Sequence, residues 1–333
     1  IKNYSHIRTS FETVPKLLLS KKLAELAPGN LKKVAYALSG SDANEGSVKL
    51  AMRNNPSSNT LAVMMDGYHG RSLAMINASW PHPNNRFTAW SAPIQRIPQG
   101  YCYRCPYRLS YPGCKLACVD YARELIVRGA SERPYALMME PMQGNGGMVE
   151  YPEGYLPAIR KMCDDLGMLL IFDEIQTGFG RMGEWFAADL YKTTPDIMTI
   201  GKALGGGFPL FGNLWRSDLK TFSPGDHSYT FAHFPVSMVA ALTFIEVMEE
   251  ENLLENCRKM GKFFTRELKK LQDQYDFIGD VRGPGLMIAI EMVKNKTTKE
   301  PDCEIPDIFI KEGLDRGVIF GESKYLHLDN VVK

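Results

Sequence analysis

Leu169-Leu170-Ile171-Phe172-Asp173-Glu174-Ile175-Gln176-Thr177-Gly178 is a short apolar run that stops on two carboxylates. Ile197-Met198-Thr199-Ile200-Gly201-Lys202-Ala203-Leu204-Gly205-Gly206-Gly207 is a second, and it stops on a lysine and a glycine turn. Unbroken apolar runs bounded by polar or glycine positions read as strands buried on both faces, the pattern of a parallel sheet. Working outward, Val34 to Leu38, Leu61 to Met65 and Tyr135 to Met139 repeat it, with helical patterns between. The fold class is therefore α/β, a mostly parallel central sheet with helices on both faces. From about Pro235 to Tyr275 the chain turns helical and charged, and Arg282 to Val293 reads as a turn and a strand. Long helices often close one domain and open another. The predicted division is a large domain over 1–240 and a smaller C-terminal α+β domain over 241–333, with no internal repeat or Pro-rich linker.

Composition narrows the function classes. The 333 residues are 44% hydrophobic and 23% charged, with 39 Lys plus Arg against 38 Asp plus Glu, a formal net charge of +1. That balance argues against nucleic acid or an anionic membrane as the main partner. No apolar run approaches the roughly 18 residues of a membrane span, and no leader-like start is visible. A soluble, cytoplasmic protein is expected. The seven cysteines fit a reducing compartment: Cys163, Cys257 and Cys303 are scattered, while Cys102, Cys105, Cys114 and Cys118 form a C-x2-C-x8-C-x3-C run.

In open α/β sheets ligands bind beyond the carboxyl ends of the strands. After Val34 to Leu38 come Ser39-Gly40-Ser41-Asp42-Ala43-Asn44-Glu45 and a helical pattern, small residues at a helix N-terminus that suit a phosphate. Taken alone, such a stretch is more often a serine cap and a tight turn. Asp173 ends an apolar strand, where a carboxylate is costly unless a cation or donor meets it; alone it reads as a cap or an ion pair. Lys202, held near backbone at a strand end, has an amine whose pKa falls and which can act as a nucleophile; alone it reads as a surface lysine. Together, an anion cradle, a strand-end Asp and a strand-end Lys match what pyridoxal phosphate needs for its phosphate, ring nitrogen and aldehyde.

Six ordered motifs then carry a resemblance across nearly the whole chain: SGSDANE at 39–45, DGYHGRS at 66–72, EPMQGNGG at 140–147, FDEIQTGFGRMG at 172–183, TIGKALGGGFPL at 199–210 and YTFAHFP at 229–235. The chain resembles the class III aminotransferases, pyridoxal-phosphate enzymes of fold type I. The resemblance implies an aminotransferase that moves an amino group from an amino acid or ω-amino compound to a 2-oxo acid by a ping-pong mechanism, with pyridoxal 5'-phosphate as cofactor. Carried over residue by residue, Gly40 and Ser41 would hold the phosphate and Tyr68 would stack on the ring. Asp173 would pair with the ring nitrogen, and Gln176 would lie near the ring hydroxyl. Lys202 would form the internal aldimine and then shuttle the proton. Glu140 matches the strand-end glutamate of the motif. Thr230 resembles the residue that reaches the phosphate of a neighbouring subunit, which implies a homodimer with shared sites.

The chain departs from the family in places. Asn145 stands where members with a glutamate gate place Glu, so a gating salt bridge is not expected. TFAHFP replaces the usual TFGGNP, putting His233 and Phe234 near the partner's phosphate. Relative to the family the chain starts late and stops at Val331-Val332-Lys333, about where a substrate-carboxylate Arg is expected, so a fragment is one reading. The four-cysteine run could hold zinc or an iron–sulfur cluster by count, but its spacing fits common zinc patterns loosely. It is read as reduced thiols packed with Tyr101, Tyr103, Tyr107 and Tyr111, with no metal. Alternatives to transamination on the same scaffold are an amino-acid racemase or epimerase, a decarboxylating transaminase, or a catalytically incomplete fragment.

Overall fold

A computed structural model describes residues 6–8, 10–56, 58–79, 93–129 and 132–321; the terminal Val331 to Lys333 lie outside these described residues. Seven strands form the main sheet: β1 Leu31–Ala37, β2 Leu61–Met64, β3 Ile94–Ile97, β4 Ala136–Met139, β5 Leu169–Asp173, β6 Ile197–Ile200 and β7 Phe211–Arg216. Their order is β1-β7-β6-β5-β4-β2-β3. Strands β2 to β6 pair in parallel, while β7 runs antiparallel to both β6 and β1. Every residue of β2, β4 and β6 is buried, which is why their sequences show no alternation.

Helices cover the sheet on both faces. Leu137 and Met139 of β4 enter one core, with Leu19 and Leu23 of α1 (Val14–Leu26), Ile126 of α4 (Ala117–Arg128) and Ile159 of α5 (Tyr155–Leu166). Ala136 and Met138 point the other way, into a core with Leu50 and Ala51 of α2 (Gly40–Asn54) and Met75 of α3 (Met75–Ala78). The period of two along one strand thus sorts its side chains between two layers.

Four of the five expected strands appear within a residue of their expected ends; β1 begins earlier, at Leu31, and β5 runs on to Asp173. Strands β3 and β7 escape a reading by apolar run. In β7 the reason is local: a Cβ at Gly212 would stand 2.4 Å from the Ala35 carbonyl oxygen, so close pairing with β1 admits no side chain there. Its neighbour Asn213 is buried and donates to Ala43 O at 2.6 Å and Ser47 Oγ at 2.7 Å, binding β7 to α2. Short α6 (Ala187–Leu190) follows β5. Beyond α7 (Pro235–Glu250) and α8 (Leu253–Gln274), three antiparallel strands, β8 Ile278–Arg282, β9 Ala289–Asn295 and β10 Glu300–Pro301, make a small sheet, followed by α9 (Ile305–Asp315). Position 241 lies inside α7, whose Met238, Ala241 and Ile245 join the large core. Among the described residues no helix is long and apolar enough to cross a membrane.

The small sheet is held to the large one by a buried ionic cluster. Glu291 of β9 pairs with Arg104 and with Arg282, the latter at 2.6 Å, and Arg282 Nε donates to Met148 O at 2.8 Å. A second cluster stands under the main sheet. Asp196 accepts from Arg160 at 2.8 Å, Arg216 at 2.6 Å and Leu170 N at 2.7 Å, with only 3% of its side chain exposed. Both arginines keep a second carboxylate, Arg160 with Asp164 and the partly exposed Arg216 with Asp218, so the loss falls mainly on the buried Leu170 N and on the bonds themselves. Asp196→Ala is therefore expected to lower unfolding stability by about 1–3 kcal/mol, read from urea midpoints at constant m-value; a loss under about 0.5 kcal/mol would show the cluster to be solvent-compensated.

Candidate functional site

The carboxyl ends of β4, β5 and β6 face the N-terminus of α2 and the turn after β2. Ser39 caps α2, its hydroxyl accepting from Asp42 N at 3.1 Å. The N–H groups of Gly40 and Ser41 then have no partner within the helix and carry the positive end of its dipole. Ser41 Oγ accepts from Arg71 N at 3.0 Å. Gly70 lies against it at φ +133°, where a Cβ would stand 2.3 Å from that oxygen; only glycine allows the approach.

The turn that includes Tyr68, His69, Gly70 and Arg71 touches three other parts of the site. Tyr68 N donates to Glu140 Oε2 at 2.9 Å, and Gly144 N donates to Glu140 Oε1 at 3.0 Å, so the buried Glu140 ties this turn to the loop after β4. Burial pushes the Glu140 carboxyl up to about 7, with nearby Asp173 adding to the rise while His69 and the two amides oppose it. The exposed Arg71 lies over the Tyr68 ring, its guanidinium 5.9 Å from the ring centre.

Asp173 is buried, 4% exposed, and its two oxygens are unequally used. Oδ2 receives Asn44 Nδ2 at 2.7 Å and His69 Nδ1 at 2.9 Å, while Oδ1 receives Ile175 N at 3.1 Å. Lys202 opens a 3-10 turn, Lys202–Gly205, directly after β6, with a backbone φ of +46°. A non-glycine residue there is strained, and such strain gathers at functional sites. Its amine donates to Gln176 Oε1 at 2.7 Å. Partial desolvation in the cleft lowers the amine's pKa; Asp173 and Glu140 oppose this, and Arg181 adds to it. Gln176 is wedged against Gly144, where a Cβ would stand 2.5 Å from Oε1.

Gly40, Ser41, Tyr68, Glu140, Asp173, Gln176 and Lys202 thus line one sheet edge and share neighbours. Thr230 is exposed on the segment between β7 and α7. Among the described residues no hydrogen bond joins its hydroxyl to that group, and His233 nearby packs edge-on to Tyr36 at 5.9 Å. Asn44, His69 and Arg71 were not singled out from sequence. Asn44 had a signal, being a polar residue on the otherwise small or apolar buried stripe of α2. A cavity of about 460 Å³ opens beside Gln176, between Asn145, Met148, Ile288 and the small-sheet residues Arg282 and Ile290. Cys102, Cys105, Cys114 and Cys118 line a separate small cavity as free thiols, and burial pushes Cys118 up to about 11. Among the described residues no three His, Cys, Asp or Glu side chains stand together as a metal site.

The sequence model for class-III aminotransferases matches residues 1–330. The chain is 38% identical over 295 residues to a leucine/methionine racemase from Thermococcus litoralis, covering 86% of this chain and 66% of that protein. It is 35% identical over 296 residues to an acetylornithine aminotransferase from Methanocaldococcus jannaschii, covering 87% and 69% respectively. The chain spans about two thirds of the length of these relatives. Among solved structures it superposes on an (S)-enantioselective omega-transaminase from Thermomicrobium roseum with a TM-score of 0.83 and 30% identity, over 96% of this chain and 74% of the other.

Glu140 makes this site sensitive to pH. Its carboxyl titrates near 7 when folded and near 4.5 when unfolded, so the folded state binds more protons between those values. The stability this contributes is present below about 4.5 and is lost as pH rises through about 7. Glu140→Gln, whose amide does not titrate, is expected to flatten the fall in unfolding free energy across that window, on top of a pH-independent loss. Identical slopes in both proteins would remove Glu140 from the pH response.

Proposed function

The chain belongs to the class-III aminotransferase family, and from that premise we propose that it moves an amino group from an amino acid or ω-amino compound to a 2-oxo acid in a ping-pong exchange. The observation that carries the reading is the convergence of Lys202, Asp173 and the α2 N-terminus on one sheet edge. Enzymes of this family use pyridoxal 5'-phosphate, and the residues present fit it. The N–H groups of Gly40 and Ser41 and the Ser41 hydroxyl form a cradle for a phosphate. Asp173 Oδ1 keeps room for a further donor, as a protonated ring nitrogen would be. Lys202 offers an amine of lowered pKa on the same edge.

When bound, the cofactor supplies a carbonyl carbon that takes up the amino group and a ring that spreads the electrons released at the substrate Cα. Lys202 would anchor it through its amine and, once displaced, would move a proton at the substrate Cα; the lowered pKa keeps more of the amine neutral and able to accept one. Asp173 would hold the proton on the ring nitrogen, Tyr68 would cover one ring face, and Gln176 would stand near the ring hydroxyl. Glu140 sets the positions of Tyr68 and Gly144 through their backbone amides. Arg71, exposed beside Tyr68, would be the cation that meets a substrate carboxylate.

Thr230, exposed on its segment, would reach the phosphate of a second copy, giving a homodimer with shared sites; exposed Val14, Leu17 and Leu18 on α1 and Val239 on α7 support a self-contact there. The free thiols support a reducing, cytoplasmic setting. The large unit over 1–240 would carry the cofactor and the unit over 241–333 would frame the cleft. A racemase reading draws on the similarity to the leucine/methionine racemase. It is separated by incubating one L-amino acid without any oxo acid: racemisation proceeds, whereas net transfer needs the acceptor.

Two outcomes are expected. Lys202→Ala should cut transfer by about a hundredfold or more with an unchanged circular dichroism spectrum, and a variant that still forms a borohydride-reducible bond with the cofactor would identify another lysine. Arg71→Ala should raise KM for a carboxylate-bearing donor by about tenfold, the loss of one charge-assisted contact, while KM for a simple amine stays put. Equal shifts for both donors would remove Arg71 from carboxylate binding.

A further inference from the structure

The cofactor reading leaves one buried side chain of α2 without an assigned task. We propose that Asn44 is a positioning residue whose amide locks Asp173 Oδ2 to the backbone of His69, so that Oδ1 is the oxygen presented to the cofactor's ring nitrogen. This inference rests on the presence of that cofactor, though not on which amino-group reaction it serves.

Asn44 is 1% exposed and its Nδ2 makes two bonds, to Asp173 Oδ2 and to His69 O, both at 2.7 Å. An amide nitrogen has two hydrogens, so both are spent. His69 Nδ1 reaches the same Oδ2 at 2.9 Å. A carboxylate oxygen accepts about two bonds in good geometry, which fills Oδ2. Oδ1 has only Ile175 N, at 3.1 Å, and keeps one place for a ligand. The arrangement also fixes a tautomer: an ionised carboxylate can only accept, so His69 carries its hydrogen on Nδ1, and Nε2 is left without a partner. Neither Nε2 nor the equally unpartnered Asn44 Oδ1 contributes a bond, so the two side chains are kept for what their nitrogens do to Asp173.

Position along α2 adds to the argument. Asn44 follows Gly40 by one helical turn, about 6 Å along the axis, so the same rigid helix bears the phosphate cradle at its end and the clamp on Asp173 one turn inward. His69 is held from behind, its own N donating to Ser79 Oγ at 2.9 Å. The helix therefore sets the separation between the group that meets the phosphate and the group that meets the ring nitrogen.

The test uses the full chain titrated with pyridoxal 5'-phosphate, in wild type, Asn44→Ala, Asn44→Ser and Asn44→Asp. The readouts are cofactor Kd, the ring-nitrogen chemical shift of bound cofactor carrying ¹⁵N at that atom, and KM against kcat for an amino donor. Asn44→Ala and Asn44→Ser are expected to weaken cofactor binding about tenfold or more, the loss of one hydrogen bond to a charged group. They should also move the ring-nitrogen signal toward neutral pyridine and lower kcat with little change in KM. Asn44→Asp keeps the size, loses the donor and adds a like charge, so it should bind cofactor more weakly than Asn44→Ala. If Asn44 serves packing alone, the near-isosteric Asp would be the milder change. Asn44→Ser is the small, polar variant that keeps the test open if Asn44→Ala does not fold. Unchanged Kd and ring-nitrogen signal in folded Asn44→Ala or Asn44→Ser, or Asp milder than Ala, overturns the proposal. Failure of the wild type to bind the cofactor would instead overturn the reading on which it rests, and the two failures are told apart in one titration.

Discussion

A carboxylate buried at the end of an apolar strand has to be met by donors, and in this protein the donors of Asp173 come from three separate parts of the chain. Asn44 reaches it from α2, His69 from the turn after β2, and Ile175 N from the loop that follows β5. An unmet carboxylate would cost several kcal/mol of desolvation, so each of these segments is drawn to one place. The gathering of Gly40, Ser41, Tyr68 and Lys202 at one sheet edge follows from where those segments lie.

A second carboxylate, Glu140, works in the same manner one strand over. It receives backbone amides from both the turn after β2 and the loop after β4, and it is buried enough for its pKa to rise toward neutrality. The candidate site is therefore framed by main-chain groups held to buried acids. The two places where side chains are excluded, Gly70 against Ser41 and Gly144 against Gln176, belong to the same framing: each lets one loop approach a functional side chain closely.

The small antiparallel sheet is attached through charge as well as apolar contact. Glu291, Arg104 and Arg282 form a buried cluster between the segment that bears the cysteines and the strand pair of the small sheet, and Arg282 also holds the carbonyl of Met148 near the cleft. Cys102 and Cys105 flank Tyr103 and Arg104 in sequence, so the thiols belong to the same segment that carries this attachment. The cavity beside Gln176 is lined by Arg282 and Glu291 of the same cluster.

Much of this was legible in the residue order. Unbroken apolar runs such as Leu169 to Phe172 and Ile197 to Ile200 read as strands buried on both faces, and Asp173 and Lys202 follow them directly, so fold class and the presence of a carboxylate and an amine at neighbouring strand ends could be read from adjacency. Strand β7 could not, because Gly212 and Asn213 answer to the backbone of β1 and to α2, partners far away in sequence. The roles of Asn44 and His69 were equally hidden. Their meaning lies in meeting a carboxylate more than a hundred residues away, at hydrogen-bond range. Sequence determines which groups stand at strand ends, since that depends on local pattern; only the folded chain decides which oxygen of Asp173 remains open, since that depends on distances set by packing between segments.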